Sequence, residues 1–580
     1  MISIERSFYE RFPNLAIGRA RTFAQPVVEL LRKIAGEDAL RRVLEEIGAL
    51  SGFDFVERVL EYFQVTYRLA NTDRDNIPAE GRLVIVANHP LGALDAMALL
   101  HLVGTVRRDV RILGNDLLVQ LSQLSNLLLP VNVFGGEGAS SGRMRAVYRA
   151  LENEQAIVIF PAGEVSRIGP QGVRDAAWSN GFVRLAEKCG APVLPVHIAA
   201  YNSPTFYGLS LLSKPLSSLL LAREAIGRNN VNIGMHVGEM VPASALAHPK
   251  GKPAQIANAM RRHVYQLARR RPTVFATSRA IAHPESPLAL RDALKRADVL
   301  GSTSDGKRIL LTRAAPDCPL LREIGRLREL AFRRVGEGTG TRRDLDKFDA
   351  YYNHLVLWDE TALAIVGAYR IADPEIFAKH GASGLYSSTL FDYDTRSHEF
   401  LNQGIELGRS FIHPAFWGTR SLGYLWQGVG AYLRRRPDVR YLYGPVSISA
   451  ALPSEARAWI VQTHQHYFGE TDSPARSRNP FVAPADIACI ARETLAPLDA
   501  KAGLQELKRQ LARVGASIPT LYRHYVDLCE NDGVRFLAFG TDPAFGHCVD
   551  GLIRLDLTQL KPAKRERYIG GTVRNLAPVD

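Results

Sequence analysis

The sequence predicts an α/β protein built from two domains. Three short apolar runs, residues 83–87, 157–160 and 191–197, each end in or are bracketed by a polar or proline-containing turn, and helical patterns separate them. Strands that alternate with helices in this way predict a sheet with a functional site at the strand ends. A chain of 580 residues is too long for one hydrophobic core, so at least two domains are expected.

The composition is that of a folded protein with a basic surface. Hydrophobic residues make up 46% of the chain, charged residues make up 23%, and the formal net charge is +13. This charge predicts an acidic partner, which is nucleic acid, anionic lipid or an acidic carrier protein. Because zinc-finger spacings, a recognition helix and aromatic ribonucleoprotein motifs are missing from the sequence, we expect no nucleic-acid partner. A plain solvated face is the alternative interpretation of the basic clusters at 269–271 and 434–436.

The cysteines and the apolar segments bear on location and cofactors. The five cysteines are scattered without a Cys-x-x-Cys pair, which predicts a reducing compartment and no metal site. The N-terminus lacks a hydrophobic signal core, and no uncharged apolar run reaches the length of a transmembrane helix. We therefore expect a cytoplasmic protein, peripheral on the inner face of the cytoplasmic membrane. The leucine-rich segments 117–129 and 216–226 either pack on the sheet or touch the bilayer.

The first domain carries a candidate catalytic pair directly after an apolar run. Residues 1–70 have helical apolar spacing and are expected to cover a domain that spans 71–275. His89 follows the run 83–87, and Asp95 lies a turn or so further on. An imidazole can take a proton from a hydroxyl nucleophile while a carboxylate orients the ring and stabilises its charged form. The pair predicts acyl transfer onto an alcohol, and a structural His–Asp pair is the alternative.

Three sequence blocks resemble those of the glycerolipid (lysophospholipid) acyltransferase family. They are NHPLGALD at 88–95, FPAGEVSR at 160–167 and APVLPV at 191–196. The first two blocks are similar to those of the hemolysin-like subfamily. The resemblance implies a glycerolipid acyltransferase-type α/β fold with His89 and Asp95 as catalytic residues. It also implies, more loosely, that Glu164 and Arg167 contact an acceptor head group.

The sequence departs from the family pattern in two places. Five residues separate His89 from Asp95, where the family has four, and Ala162 stands where the family has Glu. If the pair is real, Gly92 or a helix that begins late after Pro90 must absorb the extra residue.

The sequence changes character at 276–304, which is predicted to be a linker. Pro284 and Pro287 precede a Gly- and Ser-rich run at 301–306. A different domain is expected at 305–560, followed by a C-terminal tail at 561–580. The domain opens with a helix at 321–334 and continues with strand patterns at 362–371, 385–391, 404–413 and 441–447.

A glycine-bearing turn opens a long helix in this second domain. The turn at 416–423 contains Gly418, Arg420 and Gly423, and the helix runs to about residue 436. This order of elements resembles GNAT-type acyltransferases, in which backbone N–H groups at a helix start hold the pyrophosphate or phosphopantetheine of the acyl donor. The resemblance implies a GNAT-like mixed-sheet α/β domain with the acyl donor at Gly418, Arg420 and Gly423.

A finer pattern resembles the autoinducer-synthase branch of the GNAT superfamily, and most closely the ornithine-acyl carrier protein N-acyltransferases. Its residues are Arg328, Phe332, Asp346, Asp349, Arg370, Glu406 and Arg409, with supporting blocks at 518–523 and 542–550. A chain that joins both domains is similar to the bifunctional ornithine lipid synthases. The resemblance implies acyl-acyl carrier protein as donor, no bound cofactor, and ornithine or a related amino acid as acceptor.

The second site must deprotonate an ammonium, place it near a thioester carbonyl and stabilise the oxyanion. Glu406 is the candidate base. Since Glu406 and Arg409 face opposite sides of a regular strand, their joint action predicts a bulge near Gly408. The candidate substrate contacts are Arg328, Phe332, Asp346, Asp349, Arg370 and Arg409. The aspartates suit the cationic head of an amino acid, and the last two arginines suit its carboxylate. A structural salt bridge is the alternative for each charged residue, and helix docking is the alternative for Arg328 and Phe332.

These expectations combine into two successive acylations. The second domain would transfer a 3-hydroxyacyl group to the α-amine of ornithine, and the first would acylate the hydroxyl of that lyso-lipid. In one alternative, the first domain acylates lysophosphatidic acid and the second makes another N-acyl amino acid or a signal. In the other, the first domain is a degenerate membrane-binding module attached to one active domain.

Overall fold

The chain forms two compact units, Met1–Ala280 and Ile281–Asp580. The computed structural model describes residues 37–114, 121–130, 140–212, 230–246, 252–269, 271–530 and 532–570, together with isolated positions at 21, 25, 26, 28, 29, 32 and 224. Each unit has its own sheet, so the α/β prediction is confirmed for both halves.

The first unit is built on a mostly parallel sheet. Its strands in chain order are β1 (Thr66–Leu69), β2 (Leu83–Ala87), β3 (Val110–Gly114), β4 (Leu128–Pro130), β5 (Ala156–Ile159), β6 (Arg167–Gly169), β7 (Gly172–Arg174), β8 (Val193–Ala199) and β9 (Asn232–Val237). The sheet has the order β1-β9-β8-β2-β5-β3-β4, and only the β8–β9 pair among them is antiparallel. β6 and β7 form a separate antiparallel hairpin.

Helices cover both faces of this sheet. They are α1 (Glu37–Ile47), α2 (Gly52–Tyr62), α3 (Asn71–Arg74), α4 (Ala93–Gly104), α5 (Ser140–Glu152), α6 (Gly181–Cys189), α7 (Pro204–Leu212), α8 (Ala243–Leu246) and α9 (Pro253–Leu267). The strand β2 is buried along its whole length, because successive side chains point to opposite faces and each face has its own core. Ile85 joins the core on one side and Val86 joins the core on the other.

The predicted helical cover at 1–70 is wrong at its C-terminal end. Residues Thr66–Leu69 form β1, which pairs with β9 at the edge of the sheet. The alternating exposure of this strand is the period of an edge strand. The helices α1 and α2 do pack on the core, through residues such as Val43 and Phe55.

The described part of the two leucine-rich segments packs inside the first unit. Leu124, Leu127 and Leu128 are buried in the core on one face of the sheet. Residues 115–120 and almost all of 216–226 lie outside the described residues. Within the described part of the chain, none of the helices has the length and apolar character needed to cross a bilayer.

The second unit is built on a mixed sheet. Its strands are β10 (Asp298–Ser302), β11 (Arg308–Thr312), β12 (Asn353–Asp359), β13 (Ala364–Ala372), β14 (Phe391–Tyr393), β15 (Gly404–Ile412), β16 (Tyr441–Ile448), β17 (Ala475–Ser477), β18 (Val534–Asp542) and β19 (Cys548–Asp556). The main sheet has the order β10-β11-β12-β13-β15-β16-β19-β18, with β15 and β16 parallel and the other neighbours antiparallel. β14 and β17 form a small separate pair.

The helices of the second unit pack on both faces of its sheet. They are α10 (Pro287–Leu294), α11 (Pro319–Arg334), α12 (Pro374–His380), α13 (His398–Asn402), α14 (Ser421–Arg434), α15 (Ser454–Phe468), α16 (Ala485–Leu495), α17 (Ala500–Arg513), α18 (Thr520–Val526) and α19 (Pro562–Arg565). Val429 of α14 and Ile460 of α15 belong to one core, and Ile324 of α11 belongs to another.

The segment 276–304 belongs to the second unit from Ile281 onward, which corrects the prediction of a linker. It contains α10, and β10 pairs with β11 at the sheet edge. Pro287 begins a helix because proline suits the first helical turn, and Gly301 lies at a β-bulge, where it has a φ of 155°. Part of the predicted tail is also packed, since Tyr568 is buried against Trp426 with ring centroids 5.9 Å apart.

Candidate active sites

The first candidate site is a histidine and an aspartate at the carboxyl end of β2. His89 Nδ1 lies 2.9 Å from Asp95 Oδ1, and the Asp95 side chain is fully buried while that of His89 is 19% exposed. The backbone N–H of Leu91 donates to Asp95 Oδ2 at 2.7 Å. The carboxylate is therefore fixed between the imidazole and the loop.

A late helix start makes this contact possible despite the extra residue. α4 begins at Ala93, after Gly92, whose φ of 88° and ψ of −121° suit glycine. His89 and Pro90 therefore precede the helix, so the ring approaches Asp95 from the loop rather than along a helix face. The predicted adjustment at Gly92 is what the structure shows.

Aromatic packing and charge set the state of His89. Its ring stacks on Phe160 with centroids 4.0 Å apart. Burial alone would lower the pKa of His89, but the Asp95 carboxylate, with a further contribution from Asp175, outweighs burial, and the pKa lies above its ordinary value. The arrangement has the features of a general base whose charged form is stabilised.

Asp175, which the sequence patterns did not single out, ties the His89 loop to the FPAGEVSR loop. Its Oδ1 accepts hydrogen bonds from the His89 N–H at 3.2 Å and from Ser166 Oγ at 2.5 Å, and its Oδ2 accepts one from Trp178 Nε1 at 2.8 Å. The N–H of Ser166 donates in turn to the carbonyl of His89 at 2.8 Å. The backbone of His89 is thus held on both sides.

Two asparagines complete the support of this loop. The side chain of Asn88 donates to the Ile198 carbonyl at 2.8 Å and accepts from the Ile198 N–H at 2.7 Å, which fastens the end of β2 to β8. Asn202 Nδ2 donates to the Pro90 carbonyl at 2.8 Å. Asn88 belongs to the motif block, but the clamp that it forms requires the neighbouring strand and is invisible in the sequence.

Glu164 and Arg167 lie on the same loop as Ser166 and contact each other. Arg167 Nε donates to Glu164 Oε2 at 3.0 Å, and Arg167 Nη1 donates to Ser210 Oγ at 2.7 Å. Their side chains are 33% and 14% exposed, respectively. The structure therefore places both residues on the loop hydrogen-bonded to the His89 backbone, where their contact with an acceptor head group stays a prediction.

A strand bulge lies at the centre of the second candidate site. β13 and β15 pair as Ala368 with Phe411 and as Arg370 with Gly408, so one residue of β13 faces Arg409 and Ser410. Arg409 adopts a φ of 49°. The bulge beside Gly408 that the sequence requires is present.

The bulge lets the side chains of Glu406 and Arg409 contact the same residue, Tyr386. Glu406 accepts the Tyr386 N–H at 3.0 Å, and the Arg409 guanidinium lies 4.6 Å from the centre of the Tyr386 ring. Both side chains therefore reach the segment 386–387, and their joint action stays a prediction.

The contacts of Glu406 favour a positioning role, and its predicted role as base stays a prediction. Its carboxylate is 1% exposed and accepts hydrogen bonds from the Tyr352 hydroxyl, the Tyr386 N–H and the Ser387 N–H, the last at 2.6 Å. A carboxylate occupied by three internal donors holds the segment around Tyr386 in place. This is the geometry of a positioning residue, because the buried side chain already accepts three hydrogen bonds from within the protein.

Four of the predicted substrate contacts neutralise one another inside the protein. Arg328 donates to both oxygens of Asp349 at 2.9 and 2.8 Å, and both side chains are 1% exposed. Arg370 Nη1 lies 2.6 Å from Asp346 and 3.1 Å from Asp349. Burial alone would raise the pKa of Asp349, but Arg328 and Arg370 hold it well below its ordinary value. The structural salt bridge, which was the alternative interpretation, is what the structure shows for these four residues.

Arg409 and Phe332 lie at the edge of this network. Arg409 Nε is 3.1 Å from Asp344 Oδ2, and its guanidinium lies between the rings of Tyr386 and Phe545, 4.6 Å from each centroid. Phe332 packs edge-on against Phe545 at 5.0 Å. The Arg409 side chain is 12% exposed, so it retains a surface that a substrate can contact.

The glycine turn lies at the start of α14. Gly418 has a φ of 77°, Arg420 is the residue before the first turn of α14, and Gly423 lies within that turn. The first N–H groups of any helix lack partners within the helix and attract phosphate oxygens. Acyl-donor binding at these three residues stays a prediction.

The neighbouring strands β15 and β16 separate after a short paired stretch. β15 and β16 pair only through Gly404–Glu406 and Tyr441–Tyr443, although β15 continues to Ile412 and β16 to Ile448.

The described residues hold no group of three or more His, Cys, Asp or Glu side chains arranged to bind a metal ion.

Comparison with known proteins gives a match for each unit. Residues 6–236 match the family model described as Acyltransferase, and residues 327–427 match the model described as Acetyltransferase (GNAT) domain. The two matched segments fall in the first and second units, respectively.

The similar proteins include N-acyltransferases and O-acyltransferases. A lyso-glycine lipid O-acyltransferase of Bacteroides thetaiotaomicron is 31% identical over 248 residues, which are 42% of this chain and 89% of the relative. A glycine N(alpha)-acyltransferase of Phocaeicola vulgatus is 29% identical over 269 residues, 44% of this chain and 81% of the relative. An L-ornithine N(alpha)-acyltransferase of Brucella abortus is 35% identical over 142 residues, 22% of this chain and 49% of the relative. The chain therefore belongs to the acyltransferase family of the lyso-glycine lipid O-acyltransferase through its first unit, and it is a fusion of this N-terminal acyltransferase domain with a C-terminal GNAT domain.

Proposed function

We propose that this chain makes an aminolipid by two acyl transfers, first onto the α-amine of ornithine and then onto the hydroxyl of the resulting lyso-lipid. The observation that carries the proposal is the intact His89–Asp95 pair in a chain that also contains a GNAT domain. A 3-hydroxyacyl group placed on an amine by the second unit supplies the hydroxyl that the first unit needs. The relatives whose names describe these two steps separately support this division of labour.

The first transfer takes place in the GNAT domain. The amine nitrogen attacks the thioester carbonyl of 3-hydroxyacyl-acyl carrier protein, the C–N bond forms, and the C–S bond breaks. The proton released from the nitrogen balances the thiolate that leaves as the carrier protein's thiol. The helix start at Gly418–Gly423 and the parting strands β15 and β16 offer a place for the phosphopantetheine arm.

The second transfer takes place at His89. The imidazole Nε2 takes the proton of the 3-hydroxyl as its oxygen attacks a second acyl thioester, and Asp95 stabilises the imidazolium that forms. The same proton then passes to the leaving thiolate. Since Asp95 and Asp175 already hold His89 in one orientation, the pair also argues against a degenerate first domain.

Glycine is the second candidate acceptor. The names of two kinds of relatives contain glycine, whereas others contain ornithine. The basic surface suits an acidic carrier protein and anionic lipid, so we propose both as partners, with peripheral contact at a membrane.

Lipid extraction from a bacterial host without aminolipids tests the proposal. Expression of the chain should give a ninhydrin-positive lipid whose mass corresponds to ornithine with one amide-linked and one ester-linked acyl chain. A ninhydrin-negative lipid whose mass corresponds to glycine with the same two acyl chains would support the second candidate, because N-acylation leaves glycine without a free amine. A well-expressed protein that yields neither of these lipids would overturn the proposal.

A further inference from the structure

Three acidic side chains of the second unit lie together close to Arg409. Glu337 follows α11, Asp542 ends β18, and Asp550 lies on β19. Ser447 on β16 is the register partner of Asp550, and its hydroxyl donates to Glu337 Oε2 at 3.0 Å. Asp542 and Glu337 are near enough to Asp550 for their charges to raise its pKa. Glu337, Asp542 and Asp550 are called the acidic cluster below.

The acidic cluster is buried and short of positive charge. Asp542 is 4% exposed, Asp550 is 6% exposed, and Glu337 is half-buried. Within the described residues, no ion pair of 4.0 Å or less joins these three carboxylates to a cationic side chain. The hydrogen bonds that they accept come from neutral donors, which are Ser447 Oγ, Ala544 N and Cys548 Sγ. Arg409 acts on Glu337 and Asp550 from a distance, but its Nε lies 3.1 Å from Asp344.

Like charges that are buried together favour the uptake of positive charge. Burial raises the pKa of Glu337 to about 7, and burial with the charges of Asp542 and Glu337 raises the pKa of Asp550 to about 7. Protons are one means of neutralising such a cluster, and a bound cation is another. An ammonium, with its several N–H donors, fits a group of carboxylates better than it fits a single one.

The hydroxyl of Tyr386 is a second, independent sign of a ligand. Tyr386 is 8% exposed, and its hydroxyl has no hydrogen-bond partner in the part of the chain that the structure describes. The Tyr386 ring and the Phe545 ring each lie 4.6 Å from the Arg409 guanidinium, and Phe545 is three residues after Asp542, so Tyr386 lies on the same side of Arg409 as part of the loop that follows Asp542. Burial raises the pKa of the Tyr386 hydroxyl, Arg409 lowers it, and the charges of Asp550 and Asp542 raise it further. A hydroxyl without a protein partner can accept a hydrogen bond from a bound donor.

The acidic cluster is next to the place where the acyl transfer is proposed to occur. Arg409 lies at the bulge of β15, and Ser447 lies on β16 beyond the point at which the two strands part. The ring of Phe545, which follows Asp542 in the chain, contacts the Arg409 guanidinium at 4.6 Å. A substrate whose carboxylate meets Arg409 would thus have its far end close to the acidic cluster.

We propose that Glu337, Asp542 and Asp550, together with the Tyr386 hydroxyl, bind the side-chain ammonium of a diamino acid acceptor. This inference rests on the proposed N-acylation and names the residues that select its substrate. Ornithine presents an ammonium at the end of its side chain, and glycine presents none. The acidic cluster replaces Asp346 and Asp349, whose carboxylates are already neutralised by arginines.

Steady-state kinetics of the full chain test this assignment. N-acylation by 3-hydroxyacyl-acyl carrier protein is measured with ornithine and with norvaline, which has the same carbon skeleton without the side-chain amine. The wild-type chain should have a KM for ornithine at least about tenfold below that for norvaline. Asp550→Asn and Glu337→Gln should each remove most of this difference by raising the KM for ornithine while leaving norvaline unchanged. Asp472→Asn, at a carboxylate that is 88% exposed, is the matched control and should change neither KM.

The outcomes separate this inference from the proposed function. Equal KM values for ornithine and norvaline in the wild-type chain would overturn the assignment, and this comparison needs no variant to fold. Equal losses with both amino acids in the two variants would also overturn it. A wild-type chain that acylates no amino acid would overturn the proposed function and the assignment with it, whereas preferred acylation of glycine would overturn the assignment alone.

Discussion

His89 Nδ1 lies 2.9 Å from Asp95 Oδ1 although five residues separate the two in the chain. The contact depends on Gly92, which turns the chain so that the helix begins at Ala93 and carries Asp95 in its first turn. The histidine stays in the loop at the end of β2. The buried carboxylate of Asp95 therefore orients the ring and makes the larger contribution to its raised pKa.

Replacing Asp95 should change both the rate and the pH dependence of O-acylation. The base must be neutral, so activity falls as the pH drops through the pKa of His89. Because Asp95 raises that pKa, Asp95→Asn should move the acid limb of the kcat/KM profile to lower pH and reduce the maximum by about a hundredfold or more. Initial rates with a purified lyso-lipid across pH 5–9, a range of about four units around the ordinary histidine pKa, would show this. An unmoved acid limb would contradict the assignment of His89 as base.

Asp175 should act on the same profile more weakly. Asp175→Asn keeps the shape of the side chain but weakens its hold on the His89 N–H and on Ser166. We expect about a tenfold lower rate of O-acylation, with a small shift of the acid limb in the same direction as for Asp95→Asn. Glu61→Gln, at a side chain that is 58% exposed, is the control. If Asp175→Asn lowers the rate with no shift at all, the carboxylate supports only the loop.

The buried pair of Arg328 and Asp349 should stabilise the second unit. Arg328→Met leaves Asp349 buried with one partner fewer, and the free energy of unfolding of this unit should fall by about 3–5 kcal/mol. Denaturant titration followed by tryptophan fluorescence measures this, since four of the five tryptophans lie in the second unit. Arg478→Met breaks an exposed pair with Asp392 and should cost less than about 1 kcal/mol. Similar losses in the two variants would contradict the structural role of Arg328.

Glu406 should behave as a positioning residue. Glu406→Gln loses one of the oxygens that accept the N–H groups of Tyr386 and Ser387, so kcat for N-acylation should fall about tenfold or more and thermal stability should fall with it. The residual activity should keep the pH profile of the wild-type chain. Loss of the acid limb in this variant would instead restore Glu406 as the base.

Local patterns in the sequence were enough for the fold class and for the first site. Apolar runs that end in motif residues mark β2 and β5, and a glycine directly before the helix start explains how His89 reaches Asp95. The bulge at Arg409 also followed from the sequence, because two functional side chains three residues apart cannot share one face of a regular strand.

Contacts between residues that are far apart in the sequence could not be predicted in the same way. Asp175 has no motif around it and reaches His89 only because β7 returns along the strand ends. In the sequence, the charges of Arg328 and Asp349 suit contacts with a substrate as well as they suit an ion pair with each other. Only the distance between the two side chains distinguishes these roles. The linker was misplaced because the prolines and glycines that suggested it also begin a helix and form a bulge in an edge strand.

The lipid that accumulates in cells expressing His89→Ala tests the central claim, that two acylations take place at separate sites of one chain. The variant should accumulate the mono-acylated, ninhydrin-positive lyso-lipid and none of the diacylated product, because the GNAT domain remains intact while the hydroxyl has lost its base. Mass spectrometry of the extracted lipids gives the ratio of the two species. If the variant still makes the diacylated lipid at the wild-type level, His89 is structural and the second acylation takes place elsewhere.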